Sequence, residues 1–169
     1  YVIGNMARIT PWKGQEFLLR VFIEYTGQNK NAYLMLVGSP MFDNDRYYKN
    51  LKQLVFKNDL WDRVLMPGYR SDLKNIFSAM DLFVYPSVEK DTSPLSLMSA
   101  ISSGLPVAMQ NIDSLKEITD FCPAVDVFDP SDRVNLFSLM EKYVDKSIRD
   151  VNGRKNREAG KMYFDIATH

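Results

Sequence analysis

Apolar positions along this chain fall into two alternating patterns. Short continuous runs, ended by Gly or Pro, read as strands covered on both faces. Longer stretches with apolar residues three and four apart read as helices with one buried face. Tyr1 to Arg8 is a strand running into the loop Ile9-Thr10-Pro11-Trp12-Lys13-Gly14, and Gln15 to Thr26 sets Phe17, Leu18, Val21, Phe22 and Tyr25 on one helical face. Ala32 to Val37 (AYLMLV) is a strand stopped by Gly38, and Asp45 to Asn58 returns to helical spacing. Val64 to Met66, Leu82 to Tyr85, Leu105 to Met109 and Val125 to Phe128 are further strands. Between them the spacing predicts helices over Asp72 to Met80, Pro94 to Ser103 and Ser114 to Thr119. A long helix over Ser131 to Lys146, capped by Asp129 or Ser131, and a last one over Asn152 to Phe164 complete the chain.

About six strands alternating with helices predict an α/β fold, a doubly wound, Rossmann-like parallel sheet forming one domain over residues 1–169. Right-handed crossovers place helices on both faces. Ligands bind in such sheets beyond the carboxyl ends of the strands, where the strand order reverses. The segments just after each strand are therefore the ones to search for chemistry.

Composition narrows that chemistry. Lys plus Arg is 21 and Asp plus Glu is 21, so the chain lacks the basic excess of a general nucleic-acid binder, and any anion site must be built locally. The single cysteine, Cys122, cannot form an internal disulfide and reads as a small buried hydrophobe. The single histidine, His169, is the last residue, so His-dependent triads and His-based metal sites find little support. No apolar run reaches the roughly 20 residues that span a bilayer. A cytoplasmic location is the expectation. The chain opens inside a strand and without Met. We expect it to be a fragment with a preceding region missing.

Three strand-to-helix segments carry candidate chemistry. In the first, Arg8 and Lys13 stand five apart and Gly14 opens the next helix, whose N-terminus would attract an anion. Arg8 offers a bidentate fork and Lys13 a point charge, enough to hold a diphosphate without a metal. Two solvated surface cations would look the same. The spacing is not that of a P-loop, and no GxGxxG follows the first strand, which argues against a dinucleotide dehydrogenase. In the second, Glu89 and Asp91 precede Thr92, Ser93 and Pro94. The acids could accept hydrogen bonds from sugar hydroxyls, or the segment could be a solvated capping loop. In the third, Tyr69 and Arg70 follow Pro67-Gly68; Tyr69 could stack on a base or simply pack, and Ser71 or Asp72 could cap the next helix. Trp12 and Trp61 are single aromatics with no stacking array, and Asp62 and Asp81 read as structural.

At these places the chain resembles the C-terminal domain of GT-B-fold glycosyltransferases of the "glycosyl transferases group 1" family (glycosyltransferase family 4). The matching stretches are ARITPWKGQ, AYLMLVG, WDRVLMPGY, NIFSAMDLFVYPS and PLSLMSAISSGLPV, in family order over about residues 1–130. The resemblance implies that Arg8 and Lys13 bind the diphosphate of a nucleotide-sugar donor. It implies a carboxylate facing the donor sugar at Asp91 and a ribose-binding position at Ser99, where the family has a pair of glutamates eight apart. Asp91 keeps the charge with a shorter reach. Ser99 removes a charge-assisted hydrogen bond, typically about 1.5–3 kcal/mol. Pro94 has no N–H to offer in place of the family's Gly-rich turn, which leaves sugar contacts to Thr92 and Ser93.

The implied activity is retaining transfer of a sugar from a nucleotide diphosphate sugar to a glycan or lipid-linked acceptor, as in cell-surface polysaccharide synthesis. No metal or other cofactor is expected. The acceptor, and any attachment at the inner face of the membrane, would belong to the missing N-terminal domain, so no turnover is expected of this chain alone. One rival is a non-catalytic nucleotide-sugar-binding module with a degenerate site, for which Ser99 speaks. A sugar-nucleotide epimerase of like architecture is the other.

Overall fold

A computed structural model describes residues 1–41, 44–88, 94–129 and 132–164. Six strands form one all-parallel sheet: β1 (Val2–Met6), β2 (Tyr33–Val37), β3 (Val64–Gly68), β4 (Leu82–Tyr85), β5 (Val107–Gln110) and β6 (Asp126–Phe128). Their spatial order is β3-β2-β1-β4-β5-β6. The order reverses between β1 and β4, which creates the switch point expected of a doubly wound sheet. β1 pairs Ile3 with Leu82 and Gly4 with Phe83. Asp81 secures that junction. Its N–H donates to the Val2 carbonyl at 2.8 Å, and its carboxylate accepts from the Val2 N–H at 2.8 Å.

Alternation along the strands divides the core into two layers. On one face Ile3, Leu34, Leu36, Leu82, Val84 and Ala108 pack beneath α1 (Gln15–Thr26), α2 (Asp45–Lys57) and α6 (Arg133–Lys142). On the other, Val37, Phe83, Tyr85, Val107 and Met109 pack beneath α3 (Leu73–Ser78), α4 (Leu95–Ser102) and α5 (Lys116–Phe121). Every residue of β4 and β5 is buried, including the polar Gln110 that ends β5. Cys122 is fully buried in the second layer, and burial pushes its thiol up to about 11, which removes it as a nucleophile.

Several boundaries differ from the sequence reading. β3 runs on through Pro67 to Gly68, which an edge strand permits because its outer side needs no ladder N–H. The expected helix over Ser131 to Lys146 ends at Lys142. A separate α7 (Lys146–Tyr163) begins after it, well before the expected Asn152. Asp145 causes the break: it is extended, and its carboxylate accepts from the Ser147 N–H at 2.7 Å. The cap of α6 is Asp132 and not the expected Asp129: the Asp132 carboxylate accepts from Asn135 N–H at 3.0 Å, and the alternative cap, Ser131, lies outside the described residues. At its other end, α4 closes as its sequence suggested. Gly104 is left-handed (φ 79°), and the Leu105 and Gly104 N–H groups return to the carbonyls of Ala100 and Ile101.

Candidate functional site

The carboxyl ends of β1, β2, β3 and β4 surround a cleft of about 700 Å³ at the switch point. One wall is the loop after β1, with Arg8, Trp12 and Lys13. The facing wall is Gly38, Ser39 and Met41 after β2, with Tyr69 and Arg70 after β3. Tyr85 ends β4 at the base, and Pro94, Leu95 and Ser96 open α4 at the rim. The loops after β1 and β2 run side by side through bonds from Ala7 N–H to Val37 O and from Ile9 N–H to Ser39 O, both 3.0 Å. Gly38 (φ 144°) has to be glycine here, because a Cβ would stand 1.9 Å from the Ala7 carbonyl.

The two cations are held differently. Lys13 is 8% exposed, and its ammonium donates to the Tyr85 hydroxyl at 3.3 Å. Arg8 is exposed. Both lie over the Trp12 ring, with Lys13 Nζ 4.4 Å and Arg8 Cζ 5.3 Å from its centroid. Trp12 is the residue that sequence reasoning missed. Its sequence marks it only as a lone aromatic, yet the 3-10 turn Pro11–Lys13 carries it within reach of both charges. Its i+1 and i−4 spacing to Lys13 and Arg8 was the available signal.

Gly14 opens α1, as expected, but it does not line the cleft. It is buried with φ 71°, and a Cβ would meet the Pro86 carbonyl at 1.8 Å, so its role is to let the loops after β1 and β4 touch. The α1 start is also engaged, since the Glu16 N–H donates to the Tyr47 hydroxyl at 3.0 Å. The helix start that reaches the cleft is that of α4 instead. Its N-cap position, Pro94, supplies no side-chain bond to the first-turn N–H groups.

Tyr69 is 76% exposed, and its N–H donates to Ser39 Oγ at 3.0 Å. Arg70 forks onto Asp72, with Nε at 2.8 Å and Nη2 at 2.7 Å from the two carboxylate oxygens. That fork holds the Asp72 carboxyl down at about 2. Asp72 therefore serves Arg70 and makes no side-chain cap to α3. Ser99 lies on α4 in a neighbouring hollow between α3 and α4, which meets the cleft at Leu73. The structure thus brings Arg8, Lys13, Tyr69 and Arg70 together, with Ser99 next door. Asp91, Thr92 and Ser93, with Glu89, lie outside the described residues. Among the described residues no cluster of His, Cys, Asp and Glu could hold a metal ion, and no helix is long and apolar enough to cross a membrane.

A sequence model of the family described as "Glycosyl transferases group 1" matches residues 1–137. The chain belongs to that family. An uncharacterized glycosyltransferase of Methanocaldococcus jannaschii is 26% identical over 171 residues, covering 98% of this chain and 40% of the relative. Among solved structures, the group 1 fold recurs in Anabaena HepE in complex with UDP and glucose, at TM-score 0.90 and 22% identity over 99% of this chain and 45% of that one. The C-terminal domain of the group 1 protein LpcC from Francisella tularensis superposes at TM-score 0.85 and 19% identity, over 98% of this chain and 87% of that domain. These two likenesses establish the fold, a Rossmann-like unit. The chain spans 40% of the length of its Methanocaldococcus relative.

Proposed function

We propose that this chain is the C-terminal, donor-binding domain of a retaining glycosyltransferase that moves a sugar from a nucleoside diphosphate sugar to a glycan or lipid-linked acceptor. The observation that carries this is the pair Arg8 and Lys13 at the strand-order switch, facing a cleft that the first turn of α4 also enters. Two cations and a helix start together match a diphosphate. HepE, which shares the fold, is known in complex with UDP and glucose. Tyr69 and Arg70, across the cleft, are assigned to the base end of the donor, and Ser99 to the ribose. Asp91, Thr92 and Ser93 are assigned to the donor sugar through the resemblance.

In this reading the bond from the anomeric carbon to the diphosphate oxygen breaks, and a bond to the acceptor oxygen forms on the same face. The proton of the acceptor hydroxyl passes to the departing diphosphate oxygen. Arg8, Lys13 and the α4 dipole offset the charge that grows on the leaving diphosphate, so the reading requires no metal. The acceptor and its binding groups are assigned to a separate N-terminal domain, and the isolated chain is expected not to turn over.

Calorimetric titration with UDP, GDP and ADP tests the reading. Saturable binding of one of them, weakened tenfold or more in Arg8→Ala, is the expected result. Absence of binding to all three would favour the second reading, a non-catalytic module with a degenerate site. The resemblance supports that alternative, since it implies a glutamate where Ser99 stands. Ser99→Glu should then raise affinity by about tenfold or more if the missing carboxylate is the defect.

A further inference from the structure

The indole of Trp12 is in reach of both cations of the first loop. Lys13 Nζ and Arg8 Cζ lie 4.4 and 5.3 Å from its centroid, inside the roughly 6 Å range of cation–π attraction, and Trp is the strongest ring for it. Arg8 needs such a support. It is exposed, and among the described residues its guanidinium has no carboxylate or carbonyl partner, so the side chain would otherwise sample many rotamers. The indole itself is carried on a fixed backbone. Pro11 sets the start of the 3-10 turn, Lys13 N–H closes it onto Thr10 O at 3.0 Å, and the Trp12 carbonyl accepts from Val88 N–H at 2.9 Å. That last bond fastens the loop after β1 to the segment after β4.

We propose that Trp12 is a positioning residue: its ring orders Arg8 and Lys13 before the donor arrives, so that the diphosphate meets a preformed pair of cations. The proposal rests on the donor-site reading above. Ordering long side chains in advance removes an entropy cost that binding would otherwise carry. An aliphatic side chain such as Leu keeps the site apolar but has no quadrupole to hold a cation.

The test uses whichever of UDP, GDP or ADP the unaltered chain binds. Trp12→Leu should weaken that nucleotide about tenfold. Trp12→Phe keeps a ring of weaker attraction and should fall between the two, and it carries the comparison if the leucine variant does not fold. The decisive readout is the cycle with Arg8→Ala. The Trp12→Leu loss should shrink when Arg8 is already alanine, because one of the two cations that the ring holds is gone. A purely structural role would lower the melting temperature while leaving Kd unchanged, and that result overturns the proposal. So does an undiminished Trp12→Leu loss in the Arg8→Ala background, since the ring would then act on the nucleotide without the cation. If the unaltered chain binds none of the three nucleotides, it is the donor-site reading that fails.

Discussion

Gly14 combines two independent demands, a left-handed backbone (φ 71°) and a space 1.8 Å from the Pro86 carbonyl where any Cβ would fall. Gly14→Ala should cost about 2 kcal/mol or more. For a chain of this size that is a melting temperature lower by about 4–8 °C, readable by calorimetry or circular dichroism. At Asp72 the Arg70 fork sets the charge. Its carboxyl sits at about 2, below the ordinary value of about 3.9, so the pair's contribution is present above about pH 4 and lost as pH falls toward 2. In Arg70→Ala the Asp72 midpoint, followed by carbon NMR, should return toward about 4. A midpoint that stays near 2 would mean that Asn75, 3.3 Å away, holds it instead. Arg8, Lys13, Tyr69 and Arg70 were legible from sequence because each follows a strand ended by a turn, and the fold collects such segments. Trp12 left only its spacing to Arg8 and Lys13 as a signal, and the burial of Gly14 left none, because it depends on how the loops after β1 and β4 approach each other.

Helices read well from spacing where one face is apolar, and poorly where a polar residue does the work. α1 has the bounds its periodicity predicted, Gln15–Thr26. The break between α6 and α7 was hidden because Leu136, Met140 and Tyr143 continue a helical spacing that Asp145 interrupts without disturbing the pattern. Asp145 caps through one N–H and one hydroxyl of Ser147, each at 2.7 Å. Asp145→Ala should destabilise the chain by about 1 kcal/mol, whereas Asp145→Asn should cost only a few tenths. The start of α7 matters because that helix presses closely on α4. A Cβ at Gly153 would lie 2.3 Å from the Gly104 carbonyl, and one at Gly160 would lie 2.6 Å from Ser102 Cα. Asn156, fully buried between them, donates to the Leu105 carbonyl at 2.8 Å. α7 thereby steadies the helix whose first turn enters the cleft.

Across the whole molecule, the cleft has no wall of its own. It is assembled from segments that begin at Met6 and end at Ser96, so a donor senses the integrity of most of the sheet. A nucleotide that binds only the folded chain should stabilise it by about 2.7 kcal/mol at a concentration of 100 times its Kd. A thermal shift with one of UDP, GDP or ADP, cut by about half or more in Arg8→Ala, would show that coupling; equal shifts in both proteins would move the binding site elsewhere. The order β3-β2-β1-β4-β5-β6 was foreseeable as a class, since alternating strands and helices leave few parallel topologies.

That order also has a consequence at birth. β1 becomes the centre of the finished sheet, but its partners arrive at different times: β2 and β3 are complete by Gly68, whereas β4 begins only at Leu82. A growing chain that has already folded its first three strands carries β1 as a bare edge, with Ile3 and Gly4 awaiting Leu82 and Phe83. At ordinary synthesis rates of about 5–20 residues per second, such an intermediate would leave that edge open for about a second or more. An unpaired strand is a template for any other chain, so the strand that is safest in the mature protein is the one most open to mispairing while it is being made.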